Sequence, residues 1–401
     1  MRIAYLQGTF PSTRETFVSN EIIDLRRRGV DVEVLSWMPA TGEVIHPEVR
    51  ESDVPAHTWY FRWRYVARVV LTSAFWGALI RVTVGRKRRV FGGLRNKVAA
   101  AYFVALLRRL KRQHVHTHFS KLAGHVAELA GLSASYTAHC FEPEAMGEEG
   151  RAKYSEDLAR VPLVIATSRY GQKGIQGLAR PEDRHKVKLV RTGIDLRAFD
   201  VALEAEPKYD VLCVAGFSAF KGIEYLIRAT AILKVGRPGI RVVSVGGPVA
   251  HQPESETRLR EEQRRWGVED AFIFMGPRDS DTVRALLRQV KVFALPSIVD
   301  DEGHMDGLPI ALLEAAACGL PMVSTAVAGI PDIVIDGVTG IVVPERDPQA
   351  LAEAIERLLA DDGLRRRMGA AARRLVEEEF SREVSGRQML EALASVLGVS
   401  A

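Results

Sequence analysis

Cysteine is scarce in this 401-residue chain. There are three (Cys140, Cys213 and Cys318), widely spaced and odd in number. No CxxC pair occurs, which argues against a disulfide scaffold or a cysteine-based zinc site and fits a reducing compartment. Aromatic residues are also few, at 7%. Long hydrophobic runs are missing: the longest uncharged apolar stretch, Val69 to Ile80, holds 12 residues between Arg68 and Arg81. A membrane-spanning helix needs about 20. The first residues, Met1 to Gly8, turn polar too soon for a secretory h-region. A soluble cytoplasmic protein is the expectation. Two nucleotide signatures are absent as well, since no strand runs into GxGxxG and no GxxxxGK[ST] occurs. Dehydrogenase and P-loop NTPase readings therefore lose their main support.

Negative charge is missing from one region altogether. From Val54 to Ala127 there is no Asp or Glu, yet fifteen Lys and Arg occur, so the net +5 of the whole chain leaves the remainder at −10. Such a stretch seeks phosphate. Trp59, Tyr60, Phe61, Trp63 and Tyr65 interleave with Arg62 and Arg64, and Phe75 and Trp76 follow. Aromatics among cations suit a lipid headgroup interface, so peripheral contact with an anionic membrane is a second expectation. A packed helical region with a solvated basic face explains the composition equally well. No nucleic-acid reading motif accompanies it.

What is present is an apolar share of 47% with 26% charged residues, ample for large cores and against global disorder. Short β-rich runs alternate with helical patterns. Arg2–Gln7, Val32–Trp37, His114–Phe119, Ser135–His139, Leu163–Ser168 and Val187–Thr192 read as strands, and 15–28, 123–130 and 171–178 as helices. A polar stretch, Asp200–Pro207, reads as a linker. The alternation then restarts with strands at Tyr209–Ala215, Ile240–Val245, Phe272–Met275, Val292–Leu295, Met322–Ala326 and Gly340–Val343. Helices read at 223–235, 254–266, 281–290, 309–318 and 349–359, with a charged helical tail from Leu364 to Leu397. Two such runs predict two doubly wound parallel-sheet domains facing a cleft. The expected boundaries are 1–200, carrying the basic region 54–127, then 201–380, then a helix at 381–401 that crosses back onto the first domain.

The most informative segment is Asp306-Gly307-Leu308-Pro309, running on through Glu314 to Cys318-Gly319-Leu320-Pro321. A glycine and a proline introduce a helix whose amino end can receive an anion such as a diphosphate. Asp306 precedes that helix and Glu314 lies inside it, the latter suited to a ribose diol. Alone, the two carboxylates read equally well as a loop cap and a solvated helix residue. The sequence around them resembles the E-x7-E signature of the retaining glycosyltransferase family 4. The resemblance continues through Pro321-Met322-Val323-Ser324-Thr325, Gly329-Ile330-Pro331-Asp332, Asp336-Gly337, Thr339-Gly340 and Pro344. Three N-terminal runs are similar to its exopolysaccharide-type subgroup: Phe10-Pro11 with Glu15-Thr16-Phe17, His116-Thr117-His118-Phe119, and Thr137-Ala138-His139.

That resemblance implies the GT-B fold, with two Rossmann-like domains. It implies transfer of a hexose-type sugar from a UDP- or GDP-sugar to an acceptor hydroxyl, with retention and without a metal or other cofactor. The acceptor would be a glycan, a lipid-linked sugar or a small molecule. It also implies roles. Glu314 would hold the ribose, and Asp306, in place of the usual glutamate, would meet the donor sugar. His139 would lie near that sugar's C6 side, and Lys221 would neutralise the leaving diphosphate. The amides of Gly307, Leu308 and Pro309's neighbours would cradle the donor, and Gly8, Thr9 and Phe10 would form a glycine loop across the cleft. In one place the chain departs from the pattern: Gly216 stands where a second diphosphate clamp, an arginine five residues before Lys221, is usual. Arg191 and Arg169 are the candidates to replace it. A nucleotide-sugar epimerase and a non-catalytic binding homologue remain alternatives.

Two further clusters have plain readings. Asp279-Ser280-Asp281 imitates a metal-binding DxD but directly precedes a helix, so it reads as a cap. His114, His116 and His118 alternate on one strand face. With no acidic or cysteine partner at metal spacing, they read as hydrogen-bonded strand histidines rather than a zinc site.

Overall fold

The structure is a computed structural model. It describes residues 1–11, 16–39, 47–84, 93–118, 122–139, 146–199, 207–250 and 252–399. The basic run Arg86 to Arg89, Cys140 and most of the expected linker lie outside the described residues.

The first half builds a seven-stranded parallel sheet from β1 (Arg2–Phe10), β2 (Asp31–Pro39), β3 (Thr58–Tyr60), β4 (His114–His118), β5 (Ser133–Ala138), β6 (Leu163–Ala166) and β7 (Val187–Leu189), ordered β3-β2-β1-β4-β5-β6-β7. Its helices are α1 (Thr16–Arg27), α2 (Pro47–Glu51), α3 (Trp63–Val66), α4 (Ser73–Thr83), α5 (Leu94–Arg109), α6 (Leu122–Ala130), α7 (Glu148–Arg160) and α8 (Arg169–Leu178). The second half repeats the plan with β8 (Tyr209–Val214), β9 (Val242–Val245), β10 (Phe272–Gly276), β11 (Val290–Leu295), β12 (Met322–Thr325) and β13 (Gly340–Val343), ordered β10-β9-β8-β11-β12-β13. Around it lie α9 (Ile223–Gly236), α10 (Ser255–Arg265), α11 (Ser280–Leu287), α12 (Ile310–Ala317), α13 (Pro348–Ala360) and α14 (Asp362–Glu379). Both orders reverse direction once, between β1 and β4 and between β8 and β11, the position where doubly wound sheets open a ligand crevice.

Local sequence explains these elements. β11, Val-Lys-Val-Phe-Ala-Leu, is buried at every position except Lys291, as a strand covered by helices on both faces must be. Asp347 accepts from Ala350 N at 2.9 Å and Pro348 fills the first turn of α13, while Ser381 caps the last helix, α15 (Arg382–Leu397). The basic region resolves into α3, α4 and α5, and α5 is buried from Val98 to Leu107. Besides the short α2, β3 and α7 are additions to the sequence reading. β3 extends the first sheet, and α7 forms from a segment so polar that only Tyr154 and Leu158, four residues apart, are buried.

The chain passes between the halves twice, and the two passages run side by side. Ile194 N donates to Phe380 O and Arg382 N to Ile194 O, each at 3.0 Å. After that, α15 packs against α1 of the first half, burying Met389 and Leu393 with Ile22 and Ile23.

Candidate functional site

The loops after β8 and β11 flank the reversal in the second sheet, and each delivers one charged side chain. In the β8 loop, Lys221 closes a short 3-10 turn, and Gly222 then takes the left-handed conformation (φ 64°) that starts α9. A side chain at Gly222 would collide with Pro296 O, so only glycine lets the Lys221 turn sit against the end of β11. The β11 loop returns Asp306. Lys221 Nζ lies 2.6 and 2.5 Å from the two Asp306 oxygens, and Ser297 Oγ donates to Oδ2 at 3.0 Å. The expected clamp and the expected sugar carboxylate are thus brought together as an ion pair.

α12 follows. Pro309 is its N-cap rather than its first helical residue, with no side-chain cap bond. Leu312 N bonds Pro309 O at 3.1 Å, while the amides of Ile310 and Ala311 precede any intrahelical partner. Gly307 and Leu308 are half-buried. Gly329 N donates to Gly307 O at 2.9 Å, and any side chain on Gly329 would strike that carbonyl and Ser168. Two loops of the second half and the start of α8 from the first half therefore converge here.

Glu314 sits one turn into α12. Its carboxylate takes no hydrogen bond or ion pair among the described residues. Burial pushes its carboxyl up to about 7, against a smaller opposing pull from Arg284. A desolvated acid without partners is costly, and hydroxyl donors from a ligand would relieve that cost.

Gly216 lies between β8 and the Lys221 turn, where a Cβ would stand 3.0 Å from Val249 Cγ1. Valine thus occupies the start of the path that an arginine side chain would take. Both proposed substitutes are ion-paired in this structure. Arg191, 3% exposed, lies 2.5 Å from Asp332 Oδ2 and 3.1 Å from Glu379 Oε2, with Phe380 beneath its guanidinium. Arg169 pairs with the same two acids at 3.3 and 3.6 Å. Arg191, expected to bind the donor, is here engaged by two carboxylates of the second half and joins the two halves.

In the first half, Gly8, Thr9 and Phe10 belong to β1 itself, not to a loop. Thr9 and Phe10 pair with Met38 and Pro39 of β2. Phe10, 2% exposed, is a core residue packed with Val18 and Ile22. His139 directly follows β5. Its Nε2 lies 2.7 Å from His118 Nδ1, its ring stacks on His118 and tilts against Phe17, and burial holds its pKa well below the usual imidazole value.

The strand histidines form a ladder. His114 faces Ser133 and Ser135 hydroxyls at 2.7 and 2.6 Å, and His116 faces Ser135 and Thr137 at 2.7 and 3.0 Å. Burial depresses the pKa of both, His114 to about 4. Sequence reasoning found no acidic partner for them. The fold supplies one from α1: Glu21 Oε1 lies 3.0 Å from His118 Nε2. No spacing signal could reveal it, because Glu21 and His118 are 97 positions apart. Asp279 caps α11, accepting from Thr282 N at 2.8 Å, as read from the sequence.

Comparison with known proteins follows the same lines. The family described as "Glycosyl transferases group 1" matches residues 197–375. The amylovoran biosynthesis glycosyltransferase AmsK of Erwinia amylovora is 26% identical, over 98% of this chain and 99% of its own. The alpha-maltose-1-phosphate synthase of Mycolicibacterium smegmatis is 30% identical over 71% of this chain and 78% of its own. A solved structure of Anabaena Alr3699/HepE in complex with UDP shares the fold at 18% identity, with a TM-score of 0.76 over 98% of this chain and 100% of that one. Two sheets of Rossmann order, joined to these relationships, make the chain a glycosyltransferase of GT-B fold that belongs to the glycosyl transferases group 1 family.

Proposed function

We propose that this enzyme moves a hexose-type sugar from a UDP- or GDP-sugar to an acceptor hydroxyl with retention at the anomeric carbon and without a metal ion. The observation that carries the reading is Glu314, a half-buried carboxylate with no partner among the described residues, one turn inside a helix whose uncapped amino end can receive phosphate. In this reading the ribose diol donates to Glu314, and the diphosphate meets the Ile310 and Ala311 amides. Lys221 turns from Asp306 toward the departing phosphate, which frees Asp306 to accept from the sugar hydroxyls. His139 takes the C6 side of that sugar. No carboxylate stands as a covalent nucleophile, so attack comes from the same face, with the leaving phosphate drawing off the acceptor proton. The acceptor is a glycan, lipid-linked sugar or small molecule bound by the first half. Melting curves with UDP, GDP, UDP-glucose and GDP-mannose test this, because a ligand that binds only the folded state raises its stability. Stabilisation by none of the four rejects the donor site. Stabilisation without transfer to any acceptor favours a non-catalytic binder.

We also infer contact with an anionic membrane through α4. Phe75, Ala78 and Val82 bury one face of this helix, yet Trp76, Ile80 and Val84, spaced by four, are exposed. Trp63 and Leu71 are exposed beside them in sequence, with exposed Arg62, Arg64, Arg68 and Arg81. Such a stripe with cations and no acid suits insertion among headgroups. Vesicles containing phosphatidylglycerol should retain the protein at low salt and release it at high salt. Retention unaffected by Trp76→Ser with Ile80→Ser would remove the stripe from the account.

A further inference from the structure

The start of α8 belongs to the first half, yet one of its amides is held by the second. Ser168 caps the helix and accepts from Gly171 N at 3.0 Å. The Arg169 amide, the first inside the helix, has no partner within α8. It donates instead to Asp332 Oδ2 at 2.7 Å, and Arg191 Nη1 reaches the same oxygen at 2.5 Å. The Arg169 guanidinium lies 3.3 Å from Oδ1. Asp332 is 6% exposed, so first-half donors enclose its carboxylate. A carboxylate at the amino end of a helix also meets the favourable end of the helix dipole.

Asp332 is tied just as closely to the Gly307 loop. It ends a 3-10 turn, Ile330–Asp332, in which its amide donates to Gly329 O at 3.1 Å. Ile330 and Ile333 are fully buried and anchor this turn in the core of the second half. Gly329 N then donates to Gly307 O, one residue after Asp306 and two before Pro309, the N-cap of α12. A Cβ on Gly329 would lie 2.3 Å from that carbonyl and 2.8 Å from Ser168 Cβ. The turn is therefore wedged between α8 and the Gly307 loop.

A contact that only joined the halves would need no route to this loop. The Arg382 cluster is of that kind. Its guanidinium pairs with Glu48 and Asp195, and among the described residues none of the three bonds the loops after β8 or β11. We propose that Asp332 is a positioning residue: by docking on the amino end of α8 it fixes the Gly307 carbonyl and the start of α12, so that donor affinity depends on the first-half groups that hold Asp332. This rests on the reading that the Gly307 loop and the start of α12 receive the diphosphate.

Proline suits the first position of a helix, and Ser168 already has the extended backbone that precedes it. Arg169→Pro therefore removes the amide that Asp332 accepts from, whereas Arg169→Ala keeps it. Both lose the guanidinium, so the difference between them reports the amide alone. In calorimetric titration with UDP and GDP, Arg169→Pro should bind about tenfold more weakly than Arg169→Ala. Without ligand, the Gly329 amide should exchange its hydrogen about tenfold faster in the proline variant. Asp332→Ala should weaken nucleotide binding at least as much. Glu48→Gln, which loosens the Arg382 cluster, should lower stability and leave nucleotide affinity at the wild-type value.

Equal affinity or equal exchange in the two Arg169 variants overturns the proposal, as does a binding defect in Glu48→Gln equal to that of Asp332→Ala. If Arg169→Pro does not fold, Asp332→Ala against Glu48→Gln decides on the same two readouts. A wild type that binds neither nucleotide rejects the donor site instead, and faster exchange at Gly329 would still uphold the tie from α8 to Gly307.

Discussion

The polar interiors of the two halves are built on opposite principles. Beneath β4 and β5, every ring nitrogen of His114, His116 and His118 faces a hydroxyl, a carboxylate or another imidazole between 2.6 and 3.0 Å away. In α12 of the second half, Glu314 is half-buried and has nothing to accept from among the described residues. The first arrangement is finished on folding, and the second is completed only by something that arrives from outside. Satisfied networks hold shape, whereas an unsatisfied acid stores a cost that binding can return. That contrast separates framework from function better than residue type does, since both regions are rich in groups able to do chemistry.

The sharpest test of it lies where the halves meet. Arg191→Met leaves Asp332 and Glu379 without their buried cation and should lower stability by about 3–5 kcal/mol in urea titration. A loss below about 1 kcal/mol would return Arg191 to the pool of free clamps. Lys221→Ala comes next. Removing one charged donor from a transfer site costs about 3–4 kcal/mol, so the turnover number should drop at least a hundredfold, and full turnover would detach Lys221 from the leaving group.

Glu314→Gln should move stability the other way. The carboxyl at about 7 in the fold sits above its ordinary 4.5, so the folded state binds the proton more tightly and wild-type stability declines as pH rises from 4.5 through 7. The glutamine variant escapes this decline. It should match wild type near pH 4 and exceed it by at most about 3 kcal/mol at pH 8, while binding UDP or GDP about tenfold more weakly. A variant less stable than wild type at pH 8 would mean Glu314 is already satisfied. The smallest effect belongs to the finished network: Ser135→Ala strips one hydroxyl from both His114 and His116 and should cost about 1–3 kcal/mol in thermal melts, with nucleotide binding unchanged.

Much of this was legible in the amino-acid order. Strand and helix periods placed nearly all of both sheets, because parallel strands covered on two faces must be continuously apolar, as in β11. Ser381, whose side chain accepts from Val384 N, caps the returning helix. The polar α7 escaped notice because it buries only two side chains. The site was legible where the motif is local, from Asp306 to Glu314, and opaque where it depends on contact. Nothing in the order of residues announced that Lys221 holds Asp306, that Val249 stands against Gly216, or that Glu21 reaches His118. The resemblance implies a loop at Gly8 to Phe10, yet β2 captures the backbone as far as Phe10.

The doubled passage at Ile194 and Phe380–Arg382 has a mechanical meaning. Two strands of chain laced by reciprocal amide bonds form a strap rather than a tether, and neither can slide without dragging the other. A swing of one lobe over its neighbour would have to flex both passages at that point and strain the Arg191 ion pairs beside them.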